Sequence, residues 1–246
     1  MLRRGERIAP RVLAPGRITL LRSQAGPLAG DHDRVEIVVE SGTLEIEPIA
    51  ATIALPGPAR TVLELDVTVG DGARLVLQDA PLVVAEGADV VRATTLRLGV
   101  GATAIVRDLV VLGRAGERPG RLDSVLRVDG PDGVILHDAL RIEPSEDDAY
   151  VALVPGHRAV GMVAALGGSE TRGGDARGGS ETRGGGGETR GGGETPGGGE
   201  TPGGGDAMCG GREARRAGGA LETGGWLWRA SGASAADVVA QLAHAT

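Results

Sequence analysis

An apolar run ends in a charged corner near the middle of this chain. Residues 109–112 lead directly into Gly113-Arg114-Ala115-Gly116-Glu117, and the two glycines predict a tight turn that holds Arg114 and Glu117 at defined places. A carboxylate at such a corner can bind a cation, and it can equally pair with the neighbouring guanidinium in a salt bridge of modest strength. The sequence leaves both interpretations of Glu117 open.

Two further carboxylates stand at positions where they could do chemistry. Asp31 follows the turn-forming segment Gly26-Pro27-Leu28-Ala29-Gly30, where an aspartate either caps the turn or presents its side chain to a ligand. Asp108 interrupts the apolar run that precedes the charged corner, in what should be a buried strand. A buried ionised carboxylate needs a partner, and Arg107, Arg114 or a bound cation could supply it.

The histidines and the cysteine form no recognisable metal-binding motif. The four histidines are far apart in the sequence and Cys209 is single, whereas structural zinc sites use closely spaced Cys and His ligands. Scattered carboxylates suit a cation that is bound weakly and released, because they hold it less tightly than a cage of His or Cys ligands. We therefore expect no tightly bound cofactor, but a transient contact with a metal cation remains open.

The composition and the missing motifs exclude several classes of protein. An aromatic content of 1% and a net charge of -7 argue against nucleic-acid binding, which uses stacking rings and basic faces. The sequence contains no nucleophile elbow, phosphate loop or dinucleotide-binding turn, so we expect no enzymatic activity. With no signal peptide and no run of about 18 apolar residues, it predicts a cytoplasmic protein without a membrane partner.

The elements that must position these residues are almost all strands. Short apolar or alternating runs recur between Gly, Pro and Asp turns. The predicted strands span 17–22, 34–40, 43–49, 61–69, 74–78, 82–85, 93–98, 103–112, 124–128, 134–142, 150–154 and 159–165. Gly-Ala pairs begin at 72, 87 and 101, a period of about 15 residues that is typical of stacked strand-and-turn units. The pattern predicts an all-β, solenoid-like architecture with two packed sheets.

The chain divides into three parts by composition. Residues 1–166 form the predicted β body, and 167–225 form a low-complexity insert in which Gly-Gly-x-Glu-Thr repeats leave almost nothing apolar to bury. We expect this insert to be disordered. Residues 226–246 return to the body as a strand that carries Trp226 and Trp228, followed by a short helix capped by Ser234. The tryptophans either fill an edge of the core or form a partner contact.

Three blocks, in this order along the chain, resemble the UreD (UreH) family of urease accessory proteins. They are the turn before Asp31, the segment Asp79-Ala80-Pro81-Leu82-Val83-Val84, and the charged corner. The resemblance covers about residues 17–166 and resumes near Trp226. It implies signature roles for Gly30, Pro81, Gly113 and Arg114, and a place on a metal passage for Asp31, Asp108 and Glu117. The family usually carries Glu at the position of Asp108, so the carboxylate here has a shorter reach.

The resemblance also implies a function and a set of partners. A UreD-like protein is expected to dock on the urease apoprotein together with UreF-type and UreG-type accessory proteins, of which the UreG type is a GTPase. Its role would be to assist nickel delivery to the urease active site without catalysing a reaction itself. Any contact with Ni²⁺, which accepts carboxylate ligands, would be transient. The alternative that the residues leave open is a non-catalytic β-solenoid scaffold or binding module with no metal role.

Overall fold

A computed structural model of the chain describes residues 7–144, 157–167, 215–221 and 225–243. All of them belong to one compact unit. The strands in these ranges are β1 (Ile8–Ala14), β2 (Arg17–Arg22), β3 (His32–Val39), β4 (Thr43–Ile46), β5 (Thr52–Ala54), β6 (Thr61–Val69), β7 (Arg74–Gln78), β8 (Leu82–Val84), β9 (Asp89–Leu98), β10 (Thr103–Leu112), β11 (Arg121–Gly130), β12 (Gly133–Ile142), β13 (Ala159–Gly167), β14 (Arg215–Ala220) and β15 (Gly225–Gly232). One helix, α1 (Ala235–Leu242), follows them.

The strands form two sheets that face each other. The larger sheet has the order β1-β2-β4-β7-β10-β13-β15-β14, with β5 and β8 joined to it beside β10, and the smaller sheet has the order β12-β11-β9-β6-β3. Between β3 and β11 the chain passes back and forth between the sheets, so β3, β6, β9 and β11 run parallel in one and β4, β7 and β10 in the other. This confirms the predicted all-β, solenoid-like architecture with two packed sheets.

The turns explain the period that the sequence shows. The turns at Gly72 and Gly101 stack on each other, since the Gly72 N–H donates to the Val100 carbonyl over 2.9 Å, and both glycines have positive φ, 65° and 68°. The turn at Gly87 connects β8 to β9, in the return direction between the sheets. A spacing of about 15 residues is therefore half a coil, one strand with its turn.

Apolar side chains of the two sheets fill the space between them in two clusters. One cluster contains Leu75, Leu77 and Leu96, and the other contains Val90 and Leu122. Burial of this apolar surface is the main stabilising contribution to such a sandwich. The two clusters are separated along the strands, which leaves a layer of polar residues between them.

The helix packs on the outer face of the larger sheet. Ser234 caps it as predicted, and the reciprocal bonds between Ser234 and Asp237 form a capping box. Val238 and Leu242 are buried in a third cluster, against which Trp226 and Trp228 pack with part of their surface exposed. This placement favours the interpretation of the tryptophans as filling an edge of the core.

Most strand predictions agree with the structure, and three strands were not predicted. The alternation of apolar and polar residues predicted both ends of β6 correctly. The three unpredicted strands, β1, β5 and β14, carry no clear apolar alternation. Strand β14 lies within the range that the composition assigned to the insert. Residues 168–214 of that insert and the predicted strand at 150–154 lie outside the described residues.

Candidate functional site

A layer of charged and polar side chains crosses the interior of the sandwich between the two apolar clusters. In the smaller sheet, backbone pairing places Asp33, Leu63, Arg92 and Ser124 in one row across β3, β6, β9 and β11. In the larger sheet, Asp108, Met162 and Arg229 form a row across β10, β13 and β15. We call this layer the polar belt. Its members are Arg22, Asp33, Asp79, Arg92, Asp108, Ser124, Asp138 and Arg229.

The centre of the polar belt is an ion pair that joins the two sheets. Both terminal nitrogens of Arg92 donate to Asp108, over 2.8 and 2.5 Å, and its Nε donates to the Ser124 hydroxyl over 2.9 Å. The Arg92 residue is only 7% exposed. Burial lowers the pKa of Arg92, but the Asp108 carboxylate and, to a smaller extent, the Asp79 carboxylate together outweigh this effect and the pKa is raised. The Arg92 guanidinium therefore keeps its positive charge inside the sandwich.

The sequence offered other partners for Asp108, and the structure corrects them. Arg107 is adjacent in the strand, so its side chain points to the opposite face of the sheet. Arg114 bonds to Glu117 at the end of β10 instead. The partner is Arg92, which lies in the facing sheet and sixteen residues earlier in the chain. A polar residue at an inward position between apolar ones, as in Val106-x-Asp108-x-Val110, is the signal in β10 and β11. In β9 two such positions, Arg92 and Thr94, lie between Val90 and Leu96.

Asp79 is a further carboxylate of the polar belt, and it lies at the end of β7. Burial raises the pKa of Asp79, with Arg92 opposing this shift, the Asp108 charge adding to it, and the Ala80 backbone N–H opposing it. That N–H donates to the Asp79 Oδ1 over 2.8 Å. Among the ion pairs of the described residues, none includes Asp79. Its second oxygen is thus available within the belt.

We expect Asp79→Asn to make the stability of the protein less dependent on pH. The folded state raises the pKa of Asp79 above its ordinary 3.8, so its contribution is complete below that pH and is lost as the pH rises through the raised pKa. The loss is about 1.4 kcal/mol for each pH unit by which the pKa in the folded state exceeds that in the unfolded state. Guanidinium unfolding between about pH 4 and about pH 7 measures this effect. The free energy of unfolding of the variant should increase relative to that of the wild type as the pH rises. Parallel curves would contradict the desolvation of the carboxyl of this half-buried residue.

Two more ion pairs join the sheets at the ends of the polar belt. Arg22 of β2 bonds to Asp33 of β3, whose side chain is 4% exposed. Arg229 of β15, whose side chain is 44% exposed, bonds to Asp138 of β12, whose side chain is 15% exposed. Burial lowers the pKa of Arg22, although the Asp31 carboxylate acts against this shift. The belt therefore contains an arginine–aspartate pair at each end and one in the middle.

Three cavities follow the polar belt. The first, of about 50 Å³, is lined by residues that include Asp108, Asp138 and Arg229, and the second, of about 110 Å³, by residues that include Arg22 and Asp33. They share Asp79, Arg92 and Thr94, so these side chains are the boundary between them. The third, of about 350 Å³, lies beside α1 and shares Asp79, Arg107, Asp108 and Met162 with the first. The first two therefore lie along the belt between the sheets, and the third extends from it beside α1, on the outer side of the larger sheet.

Asp31 lies next to one end of the polar belt. Its Oδ2 accepts a bond from the Leu28 N–H over 2.9 Å and lies 3.7 Å from the Arg22 guanidinium, and Oδ1 contacts Arg7. The Leu28 N–H is the main reason that the pKa of Asp31 lies below its ordinary value. Asp31 thus caps the turn that contains Gly30, where φ is 85°, and it shares Arg22 with the belt.

Glu117 lies apart from the polar belt, at the corner after β10. Its Oε1 accepts from the Arg114 side chain over 2.6 Å, and its Oε2 from the backbone N–H groups of Arg114 and Glu86 over 3.0 and 3.3 Å. These bonds, with the Arg114 side chain foremost, lower the pKa of Glu117 to about 2. The Arg158 guanidinium also donates to the carbonyls of Arg114 and Glu117. Every oxygen of Glu117 is engaged in holding the corner.

The predicted site residues therefore fall into two groups. Asp31 and Asp108 contact arginines of the polar belt, and Pro81 lines the third cavity. Gly113, Arg114 and Glu117 form the separate corner and line none of the three cavities. In the part of the chain that the structure describes, no three His, Cys, Asp or Glu side chains are grouped so as to hold a metal ion. Nor do the described residues include a helix that could span a membrane.

Comparison with known proteins gives a consistent result. Residues 10–245 match the sequence profile of the family described as UreD urease accessory protein. The urease accessory protein UreD of Streptomyces coelicolor is 38% identical over 160 residues, which are 62% of this chain and 62% of that protein. For the UreD of Streptomyces avermitilis the identity is 36% over 155 residues, 61% of this chain and 62% of that protein.

A third relative, the UreD protein of Frankia alni, is 42% identical over 132 residues, 52% of this chain and 44% of that protein. The matched regions thus span less than two thirds of the length of each of these relatives.

Proposed function

Because the chain belongs to the UreD family of urease accessory proteins, we propose that it acts in urease maturation by docking on the urease apoprotein and assisting nickel delivery. Its partners in this role are the apoprotein and accessory proteins of the UreF and UreG types. Hydrolysis of GTP belongs to the UreG-type partner, and this chain supplies contact surface and a route for the ion. We place this assembly in the cytoplasm, which suits a chain with a single cysteine.

The polar belt is the observation that carries the proposal. It brings four carboxylates, most of them paired with arginines, into an otherwise apolar sandwich, and cavities follow it from Asp33 at one end to Asp138 at the other. Carboxylate oxygens bind Ni²⁺ less tightly than clustered His or Cys ligands do, which suits an ion that must be passed on. Asp31 and Asp108 are the predicted residues on this route. Glu117 is left out, because it lies at the separate corner and its carboxylate contacts no residue of the polar belt.

A scaffold without a metal role is the second candidate, and one observation favours it. Arginines neutralise three of the belt's carboxylates, so these residues also make sense as ion pairs that hold two sheets together. In this case the chain would only assemble the other proteins on urease. The two candidates differ in whether nickel content depends on the interior of the sandwich.

The test uses a complete urease gene cluster that carries the cognate urease, with its UreD gene replaced by variants of this one. The informative variant is Arg92→Met with Asp108→Leu, which removes the central ion pair without leaving a charge unpaired. The matched control makes the same changes at an ion pair on the outer face, Arg34→Met with Asp66→Leu. We expect the control to give near wild-type urease activity and nickel content, and the central variant about tenfold less of both.

Two measurements on the central variant decide between the candidates: the amount of assembled complex and the nickel content of the urease. A central variant that assembles normally but yields urease poor in nickel supports the route. A central variant that assembles and yields urease with full nickel content supports the scaffold, and rules out the polar belt as the path of the ion. Failure of the wild-type chain to restore urease activity with its cognate cluster would overturn the maturation role itself.

A further inference from the structure

The polar belt is blocked at its centre by a side chain. Arg92 lines both the first and the second cavity, and with Asp79 and Thr94 it forms the boundary between them. Its guanidinium also forms a bidentate pair with Asp108, so both oxygens of that carboxylate are occupied. A cation that travels from one cavity to the other meets the guanidinium in its path. It also finds the Asp108 carboxylate already neutralised.

Arg92 has a second carboxylate within electrostatic reach. Asp79 and Arg92 line the same two cavities, and each shifts the pKa of the other. Asp79 uses one oxygen to cap its own turn and makes no ion pair among the described residues. A guanidinium that leaves Asp108 can therefore find another acidic partner without leaving the polar belt. This matters because a buried charge without a partner is strongly unfavourable.

The position of Arg92 on Asp108 is held by one additional contact. Its Nε donates to the Ser124 hydroxyl over 2.9 Å, and Ser124 is itself buried, with 7% exposed. A hydrogen bond to a charged group contributes more than one between neutral groups. Ser124 thus favours the position on Asp108, whereas Asp79 favours a position away from it.

We propose that Arg92 is a movable gate that turns from Asp108 to Asp79 when a divalent cation takes its place on Asp108. This inference rests on the proposed nickel route. After the exchange each carboxylate still has a cationic partner, since the ion lies at Asp108 and the guanidinium at Asp79. Arg92 is then a positioning residue that admits only cations able to compete for Asp108.

The first test replaces the second partner of the gate. Asp79→Asn keeps the oxygen that caps the turn but removes the negative charge that would receive Arg92. In the full accessory complex with apo-urease, GTP and Ni²⁺, we expect the initial rate of urease activation to fall by about tenfold. Asp66→Asn, an outer-face carboxylate that also faces two arginines, is the matched control and should leave the rate unchanged.

The second test weakens the contacts that hold Arg92 on Asp108, and we expect the activation rate to change in the opposite direction. Ser124→Ala removes the contact at Nε but leaves both bonds between Arg92 and Asp108, so the activation rate should rise, by up to about tenfold. A structural role of these residues alone would lower the rate in both variants or in neither. Thermal unfolding of each variant shows whether stability accounts for any change.

The outcomes separate the gate from the route on which it depends. If the variant that replaces Arg92 and Asp108 lowers nickel content while Asp79→Asn and Ser124→Ala match the wild type, the gate is wrong and the route stands. If that double variant matches its control in nickel content, the route fails and the gate fails with it. Opposite changes in the two single variants support the gate.

Discussion

Replacing Asp108 by Ala should lower the free energy of unfolding by about 3–5 kcal/mol. The substitution leaves the Arg92 guanidinium, in a residue only 7% exposed, without the carboxylate that binds both of its terminal nitrogens. The Ser124 hydroxyl and the nearby Asp79 carboxyl compensate only in part. Chemical denaturation of the purified variant measures the change. A loss of activation in Asp108→Ala would therefore reflect poor folding as well as chemistry.

The double variant Arg92→Met, Asp108→Leu separates these effects. Removing both charges replaces a buried ion pair by apolar side chains of similar size, which is often neutral or stabilising. It should therefore recover most of the stability that Asp108→Ala loses, because Met and Leu can join the adjacent apolar cluster that contains Val90 and Val110. If the double variant is as unstable as the single one, then packing at this position matters more than the unpaired charge.

The second large effect is expected at the charged corner. Gly113 has a φ of 73°, and a Cβ atom there would lie 2.5 Å from the Arg118 carbonyl oxygen. Gly113→Ala therefore combines the cost of a left-handed backbone with a clash against main-chain atoms that cannot move independently. We expect a loss of about 3–4 kcal/mol in the free energy of unfolding. The bonds from Arg158 to the corner's carbonyls should weaken at the same time.

Gly116, three residues later in the same corner, is a matched control. Its φ is 79°, so the backbone cost of Ala is nearly the same, but a Cβ atom there meets nothing within 4 Å. Gly116→Ala should cost only about 1–2 kcal/mol. Denaturant unfolding of the two variants side by side gives the difference that is due to the clash. Equal losses would mean that the corner moves away from Arg118 without cost.

The local patterns of this sequence predicted the strands well. In β6 the alternation of apolar and polar residues depends only on which face of the strand is buried. The nine residues of the strand are therefore enough to predict it. The capping box at Ser234 is local in the same sense. Strands β1 and β14 escaped prediction because each pairs with a single neighbour at a sheet edge and needs little apolar alternation.

The polar belt could be predicted only in fragments. Asp108 drew attention as a charge in a buried strand, but nothing near it in the sequence identifies Arg92 as its partner. The pairing depends on how far each coil advances and on which residues face each other across two sheets. The same holds for Asp138 and Arg229, which come from strands on either side of the predicted insert. Asp79 follows a predicted strand, and nothing local shows that elements distant in sequence desolvate its carboxyl.

The three ion pairs that cross the sandwich also help to specify the fold. Coils built from valine and leucine rungs resemble one another, so a strand that slid by two residues would still keep its apolar side chains inside. Such a slip would place Arg92 opposite Val106 or Val110 and leave a charge unpaired on both sheets. Buried polar contacts of this kind can select one alignment among several of similar apolar content. The three ion pairs thus favour one alignment of the two sheets over others that would bury similar apolar side chains.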